Sequence, residues 1–123
     1  MPLHDFNSMQ PQSVAERYQR KVAHGENMSV ARLEVGAGAI TGPHRHAHEE
    51  VIILLQGRWR FQLPTGPIVL NPNQLLTIPP GVEHSSEALE DVIAIDVCGT
   101  RRRDWATGED SVLHYDPQNL WGV

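Results

Sequence analysis

Short apolar or alternating segments, each followed by turn-forming residues, recur along most of this chain of 123 residues. Such a pattern is typical of an all-β protein. It predicts eight strands, at 17–23, 28–35, 50–56, 58–63, 67–70, 74–78, 84–88 and 92–98. Short strands at this close spacing favour a closed barrel or jelly roll over an open sheet. A weak helical period near 12–20 is the main competing interpretation.

The two ends of the chain differ from this central pattern. Residues 1–15 are polar and contain prolines, which predicts an arm that either frays or docks on a partner subunit. Residues 16–100 form the predicted barrel, and its length fits one domain. The remaining tail, 101–123, carries three aromatic residues, Trp105, Tyr115 and Trp121. We expect these aromatics to hold the tail against the barrel or a partner subunit.

Charge and composition restrict the partners of the protein. A net charge of −5 predicts no preference for nucleic acid or anionic membranes. The one basic run, Arg101–Arg103, is short and is predicted to be solvated surface. The longest apolar run, Val51–Leu55, fits a buried strand and is too short to span a bilayer. The N-terminus lacks the features of a signal peptide, and the single cysteine, Cys98, excludes an internal disulfide. We therefore expect a cytoplasmic protein.

The segment 42–50, GPHRHAHEE, contains three of the seven histidines and two glutamates. If it is extended, alternate side chains share one face, on which we expect His44, His46, His48 and Glu50. Ile52 and Leu54 continue that face, which directs the cluster toward the barrel interior. Buried imidazoles and a carboxylate need a metal, hydrogen bonds or water, because unpaired buried charge is very costly. The cluster therefore predicts a transition-metal site, and the alternative is a solvated histidine-rich loop.

A fourth ligand is expected from another strand, and His84 is the best candidate. It follows Pro79-Pro80-Gly81, a stiff turn that would fix where the next strand begins. Taken alone, a histidine after a turn is more often a surface residue. Glu49 has the opposite parity to the cluster, so we expect it to face outward.

Two motifs resemble those of the cupin family. The spacing Gly38-x5-His44-x-His46-x3-Glu50-x6-Gly57 reproduces the first cupin motif, and Pro79-x-Gly81-x2-His84 is similar to the core of the second. Asn73 stands where the second motif opens with glycine, and Ala88 where it closes with asparagine. The resemblance covers residues 25–100, and the short separation between the motifs is typical of small bacterial single-domain cupins.

This resemblance implies a single-domain cupin β-barrel, which is a double-stranded β-helix or jelly roll. One divalent transition metal ion would be held near its centre by His44, His46, Glu50 and His84. Iron, manganese, nickel and zinc all suit this ligand set. His48 lies outside the family's ligand set, and we expect it to hold a water or a substrate oxygen in the pocket. Cupins of this kind are commonly homodimers, which implies a second copy of the chain as partner.

A narrower resemblance concerns the last predicted strand. Residues 87–97 are similar to the last strand of the pectin-degradation cupins, which convert unsaturated uronates into linear keto sugars. Asp96 matches the inward aspartate of that strand, and Arg102 matches by spacing an arginine that follows it. Two positions depart from the pattern: Cys98 stands where an aromatic residue is expected, and Glu50 where glutamine is expected.

Three functions are compatible with these residues. In a metal-dependent isomerase or lyase acting on a sugar acid, Asp96 would move a proton and Arg102 would bind the substrate carboxylate. The alternatives are an iron(II)-dependent dioxygenase of small molecules and a non-catalytic ligand-binding cupin. Trp59 and Phe61 are predicted to be core or pocket wall, and Cys98 a small barrel-lining residue rather than a nucleophile.

Overall fold

The protein is described by a computed structural model that covers residues 1–99, 101, 102 and 105. Ten strands and a single 3₁₀ turn at Phe6–Ser8 make up the described secondary structure. The strands are β1 (Gln12–Ala15), β2 (Tyr18–His24), β3 (Ser29–Val35), β4 (Ile40–His44), β5 (Glu50–Gln56), β6 (Trp59–Leu63), β7 (Gly66–Leu70), β8 (Leu75–Ile78), β9 (His84–Ala88) and β10 (Val92–Cys98). No helix in the described part is long and apolar enough to cross a membrane.

The strands form two antiparallel sheets that enclose one core. The larger sheet has the order β1-β2-β3-β10-β5-β8, and the smaller has the order β4-β9-β6-β7. Buried and more exposed residues alternate along β3, β5, β9 and β10, as expected for strands with one face toward the core. The prediction of an all-β jelly roll is confirmed.

All eight predicted strands are present, with small shifts at their ends. The competing helix near 12–20 is wrong, because these residues form the hairpin of β1 and β2, which turns at Arg17 with a φ of 58°. Two strands were not predicted. The strand β1 is short, and β4 contains Gly42-Pro43, a pair whose composition is typical of a turn.

Both chain ends contribute to the barrel itself. The last four residues of the predicted arm form β1, which pairs with β2 at the edge of the larger sheet. In the predicted tail, Arg102 and Trp105 are buried. Tyr115 and Trp121 lie outside the described residues. Three residues that were predicted to flank the barrel, Val14, Arg102 and Trp105, are therefore buried within it.

The core lies between the two sheets and is rich in large side chains. Trp59 and Phe61 are each 2% exposed, with ring centroids 4.8 Å apart. Tyr18 meets Trp59 edge to face at 6.3 Å. On the opposite face of the same strand, Arg60 is exposed and forms an ion pair with Glu87. The predicted alternation along this strand is therefore confirmed, with the aromatic face inside.

Backbone conformations explain two positions of the cupin motifs. Gly57 has a φ of 91°, and an added Cβ there would lie 2.2 Å from the carbonyl oxygen of Asp91. Only glycine fits this close approach between β5 and the turn that precedes β10. Asn73 also has a positive φ, of 71°. Because asparagine tolerates the left-handed region better than most residues, it can replace the glycine that usually opens the second motif.

We expect the substitution Gly57→Ala to lower the free energy of unfolding by about 3 kcal/mol, through backbone strain and a steric clash. The matched control is Gly66→Ala, because Gly66 has a φ of 123° but no atom within 4 Å of an added Cβ. Urea unfolding followed by tryptophan fluorescence measures both. Equal losses in the two variants would show that the contact with Asp91 has no cost.

Candidate metal centre

The candidate ligands come from both sheets and from one connection between them. His44 ends β4 and His84 begins β9, and the two residues pair directly across the smaller sheet. Glu50 begins β5 in the larger sheet, where it pairs with Cys98 and Ile78. His46 lies in the connection between β4 and β5. The four side chains meet where the chain crosses from one sheet to the other.

The condition under which the side chains of 42–50 alternate, an extended backbone throughout, does not hold in the middle of the segment. Residues 45–49 form the connection between sheets rather than a strand, so alternation does not hold throughout. His44, His46 and Glu50 line the central cavity, whereas His48 is only half-buried and is not among the residues that line it. The carbonyl oxygen of His48 instead lies 3.2 Å from Nδ1 of His46. Glu49 is exposed, as predicted.

Backbone carbonyls fix the orientation of the three clustered imidazoles. Nδ1 of His44 lies 2.9 Å from the carbonyl oxygen of Gly42, and Nδ1 of His84 lies 2.9 Å from that of Val82. His46 has the same arrangement with His48. Because a carbonyl oxygen can only accept, each Nδ1 donates and the Nε2 of a neutral ring carries the lone pair. The rings are thus held in the tautomer that presents Nε2 as a ligand.

The donor atoms are spaced closely enough for one ion. One ring nitrogen from each of His44, His46 and His84 lies within 4.8 Å of the others. Oε1 of Glu50 is 3.6 Å from Nε2 of His46 and 3.6 Å from Nε2 of His84. Atoms that share an ion at about 2.0–2.2 Å lie roughly 3–4 Å apart, so a small contraction suffices. Three imidazoles and a carboxylate therefore fit a divalent transition metal ion.

The protonation of the histidines also suits metal binding. Burial, followed by the nearby His84 imidazole, lowers the pKa of His44 to about 4. Burial lowers the pKa of His84 as well, although the carboxylate of Glu50 opposes the shift. Both rings are therefore neutral near pH 7. A neutral ring can coordinate a metal without first releasing a proton.

Glu50 and Asp96 form a pair of buried carboxyl groups with opposite behaviour. Burial raises the pKa of Asp96 well above its usual value, and the adjacent Glu50 raises it further. Burial alone would also raise the pKa of Glu50, but hydrogen bonds with His46 and Asp96 lower it overall. The two shifts are opposite in direction, so Asp96 is the member of the pair that more readily keeps a proton and Glu50 the member that more readily ionises. Among the described residues, Oδ1 of Asp96 has no hydrogen-bond partner.

The cavity beside the ligands contains most of the other predicted site residues. Asp96, Arg102, Trp59 and Phe61 all line it. Cys98 lies behind this wall and is fully buried, and it accepts a hydrogen bond from Nη1 of Arg102 at 3.5 Å. Burial, with Asp96 nearby, raises the pKa of its thiol, so the thiolate form that a nucleophile needs is disfavoured.

Several cavity residues were not predicted from the sequence. Arg20 of β2 and Val14 of β1 line the cavity, together with Thr41, Ser86, Tyr18 and Trp105. Arg20 shares the parity of Tyr18 and Val22 in β2, which was a usable signal that it faces inward. Val14 was assigned to an arm outside the barrel, so its place in the cavity wall was not expected.

Comparison with solved structures supports the fold. KdgF from a Halomonas species is 28% identical, with a TM-score of 0.76 over 80% of this chain and 94% of that chain. An RmlC-like cupin from Shewanella frigidimarina is 18% identical, with a TM-score of 0.77 over 83% and 93%. Oxalate decarboxylase from Bacillus subtilis is 18% identical, with a TM-score of 0.69 over 79% of this chain and 29% of that chain.

A comparison with protein-family profiles identifies the family of this chain, whereas a search of curated proteins gave no match. The sequence profile of the Cupin_2 family, described as a cupin domain, matches residues 31–98, which is more than half of the chain and spans all four candidate ligands. The motifs, the two-sheet barrel and the profile lead to one conclusion: the chain belongs to the Cupin_2 family.

Proposed function

We propose that the protein is a metal-dependent isomerase that opens and tautomerises an unsaturated uronate. Two comparisons support this substrate class. The sequence of residues 87–97 resembles the last strand of the pectin-degradation cupins. KdgF is more similar in sequence to this chain than the other two structures described above. The residues in the cavity supply the groups that such a reaction needs: a proton carrier, a cation for the carboxylate and a set of metal ligands.

The observation that carries the proposal is the state of Asp96. Asp96 is 5% exposed, burial and the adjacent Glu50 raise its pKa, and its Oδ1 has no hydrogen-bond partner among the described residues. A buried polar atom without a partner is costly, so its retention is often connected with function. A protonated acid at this position can deliver a proton to a substrate and take one back from it.

The chemistry is an isomerisation and needs no oxidant. When the ring opens, the bond between the anomeric carbon and the ring oxygen breaks. The anomeric hydroxyl proton is transferred to the ring oxygen, which gives an aldehyde and an enol. The enol then becomes a ketone as its oxygen loses a proton and the adjacent alkene carbon gains one. Asp96 is the group that we assign to this proton transfer, and Arg102 the group that binds the carboxylate.

Other features of the site assist these two residues. His44, His46, Glu50 and His84 would hold the metal, which when bound polarises a substrate oxygen. Trp59 and Phe61 form an apolar part of the cavity wall. The backbone N–H of Arg102 donates to Oγ of Ser29 at 2.8 Å, and this hydrogen bond holds the backbone from which the Arg102 side chain extends.

Turnover of a 4,5-unsaturated uronate under nitrogen tests the proposal. We expect the metal-loaded protein to remove the absorbance of the conjugated double bond at the same rate with and without dioxygen. The product should have the mass of the substrate, as an isomerisation requires. Absence of turnover with each of iron, manganese, nickel and zinc would refute the proposed activity.

The same assay separates the dioxygenase alternative. Three histidines and one carboxylate also suit iron(II), which is the observation that favours a dioxygenase. Dioxygen uptake in proportion to substrate loss, with a product heavier than the substrate, would establish that alternative. The predicted homodimer is a separate proposal, which light scattering of the purified protein would test.

A further inference from the structure

A second arginine lies inside the cavity, at a position that the proposed reaction does not use. Arg20 of β2 is 4% exposed and lines the same cavity as Arg102, which is 2% exposed. Both guanidinium groups have partners within the protein, and both also line the cavity, where they can contact a ligand.

One aromatic side chain, Trp105, contacts both guanidinium groups. Cζ of Arg20 lies 5.5 Å from the ring centroid of Trp105, and Cζ of Arg102 lies 4.7 Å from it. Both distances are within the range of cation–π attraction. On the other side, Nε of Arg20 donates to Oε1 of Gln12 at 2.9 Å. The guanidinium is thus oriented from two directions, by β1 and by Trp105.

The balance of charge in the cavity favours an anionic ligand. Among the described residues that line it, the acids are Glu50 and Asp96 and the guanidinium groups are those of Arg20 and Arg102. If both carboxyl groups are ionised, their two negative charges cancel the two positive charges of the guanidinium groups. A bound divalent metal ion would then give the cavity a net positive charge. A positive cavity attracts anions.

We propose that Arg20 and Arg102 together bind the carboxylate of the substrate, on the side of the cavity formed by Trp105. This inference rests on the proposed function only for the identity of the acid as a uronate. The ligand class that it names is a small sugar acid, and a neutral sugar of the same shape is excluded. Arginine suits this task because its planar group forms paired hydrogen bonds with a carboxylate.

A purely structural role is the competing explanation, in which Arg20 braces β1 through Gln12 and supports Trp105. The two roles differ in what Gln12→Ala does. If Arg20 is only a brace, loss of the Gln12 contact should weaken ligand binding as much as loss of Arg20 does. If Arg20 contacts the ligand, Gln12→Ala should have a much smaller effect.

Calorimetric titration of the metal-loaded protein with D-galacturonate, and with D-galactose as the neutral probe, tests the proposal. We expect the wild type to bind galacturonate more tightly than galactose. Arg20→Gln should weaken galacturonate binding about 10- to 100-fold, as expected for loss of a charged hydrogen-bonding group. Arg20→Lys should recover only part of the loss, because an ammonium cannot form the planar pair. Metal content and thermal unfolding of each variant verify that the barrel is intact.

The matched control is Arg60→Gln, since Arg60 lies on the outer face of the smaller sheet. It should leave the affinity for galacturonate unchanged. Equal affinity of the wild type for the two sugars, including no binding of either, would overturn the inference, as would unchanged affinity in an intact Arg20→Gln variant. Uronate turnover combined with such a result would leave the proposed function standing. Galacturonate binding through Arg20 without isomerase activity would refute the proposed function alone.

Discussion

Replacing Asp96 with asparagine is expected to lower kcat for the unsaturated uronate by about 10²- to 10⁴-fold, which is the usual contribution of a general acid or base. Metal content should remain at the wild-type level. The reason is geometric: the amide of asparagine can still donate to Glu50, so the ligand stays oriented, but it cannot transfer a proton. Steady-state kinetics with metal analysis of the same preparation measure both effects, and KM should change much less than kcat.

A second aspartate provides the control for this substitution. Asp91 lies on the surface and its Oδ1 accepts from the backbone N–H of Ala37, a role that asparagine can also fill. Asp91→Asn should therefore leave kcat unchanged. If Asp96→Asn retains full activity with full metal content, Asp96 has no part in proton transfer, and its role is limited to supporting Glu50.

Removal of one imidazole should have the second large effect, on metal binding. We expect His84→Ala to lower metal affinity by more than about 100-fold, because even the loss of residues that merely support a ligand costs about 10- to 100-fold. Elemental analysis after dialysis against a weak chelator would show the loss. The substitution leaves Oε1 of Glu50 without one of its two imidazole neighbours, so the remaining ligands cannot compensate.

His48→Ala is the matched control, since His48 lies in the same histidine-rich segment but does not line the cavity. The hydrogen bond between His46 and His48 is made by the backbone carbonyl of His48, which the substitution retains. Metal content should therefore stay near that of the wild type. A loss as large as that of His84→Ala would place the imidazole of His48 among the ligands and contradict the assignment.

The candidate metal ligands could be predicted because the histidine cluster and the two motifs are local features of the sequence. Alternating histidines before an apolar strand predicted a metal site, and the resemblance to the cupin motifs implied the set His44, His46, Glu50 and His84. The same reasoning failed for His48, because alternation holds only while the chain remains a strand. Residues 45–49 leave the smaller sheet, and no local pattern marks that departure.

Arg20 shows how far sequence patterns reach. Its parity with Tyr18 and Val22 directs it inward, but no local pattern shows how the barrel accommodates a buried guanidinium. Its burial depends on Gln12 from one end of the chain and Trp105 from the other, which meet only in the folded barrel. Asp96 was predicted by a resemblance, but the effect of Glu50 on its pKa depends on two strands that are adjacent only through their pairing in the larger sheet.

Because the candidate ligands come from two different sheets, metal supply should affect how long the protein persists in a cell. An ion held by His44 and His84 of the smaller sheet and by Glu50 of the larger sheet would link the two sheets. Because an ion that binds only the native state stabilises it, each tenfold rise in free metal above the dissociation constant adds about 1.4 kcal/mol. Resistance to proteases would then follow the supply of metal, and a starved cell would clear the protein that it cannot use.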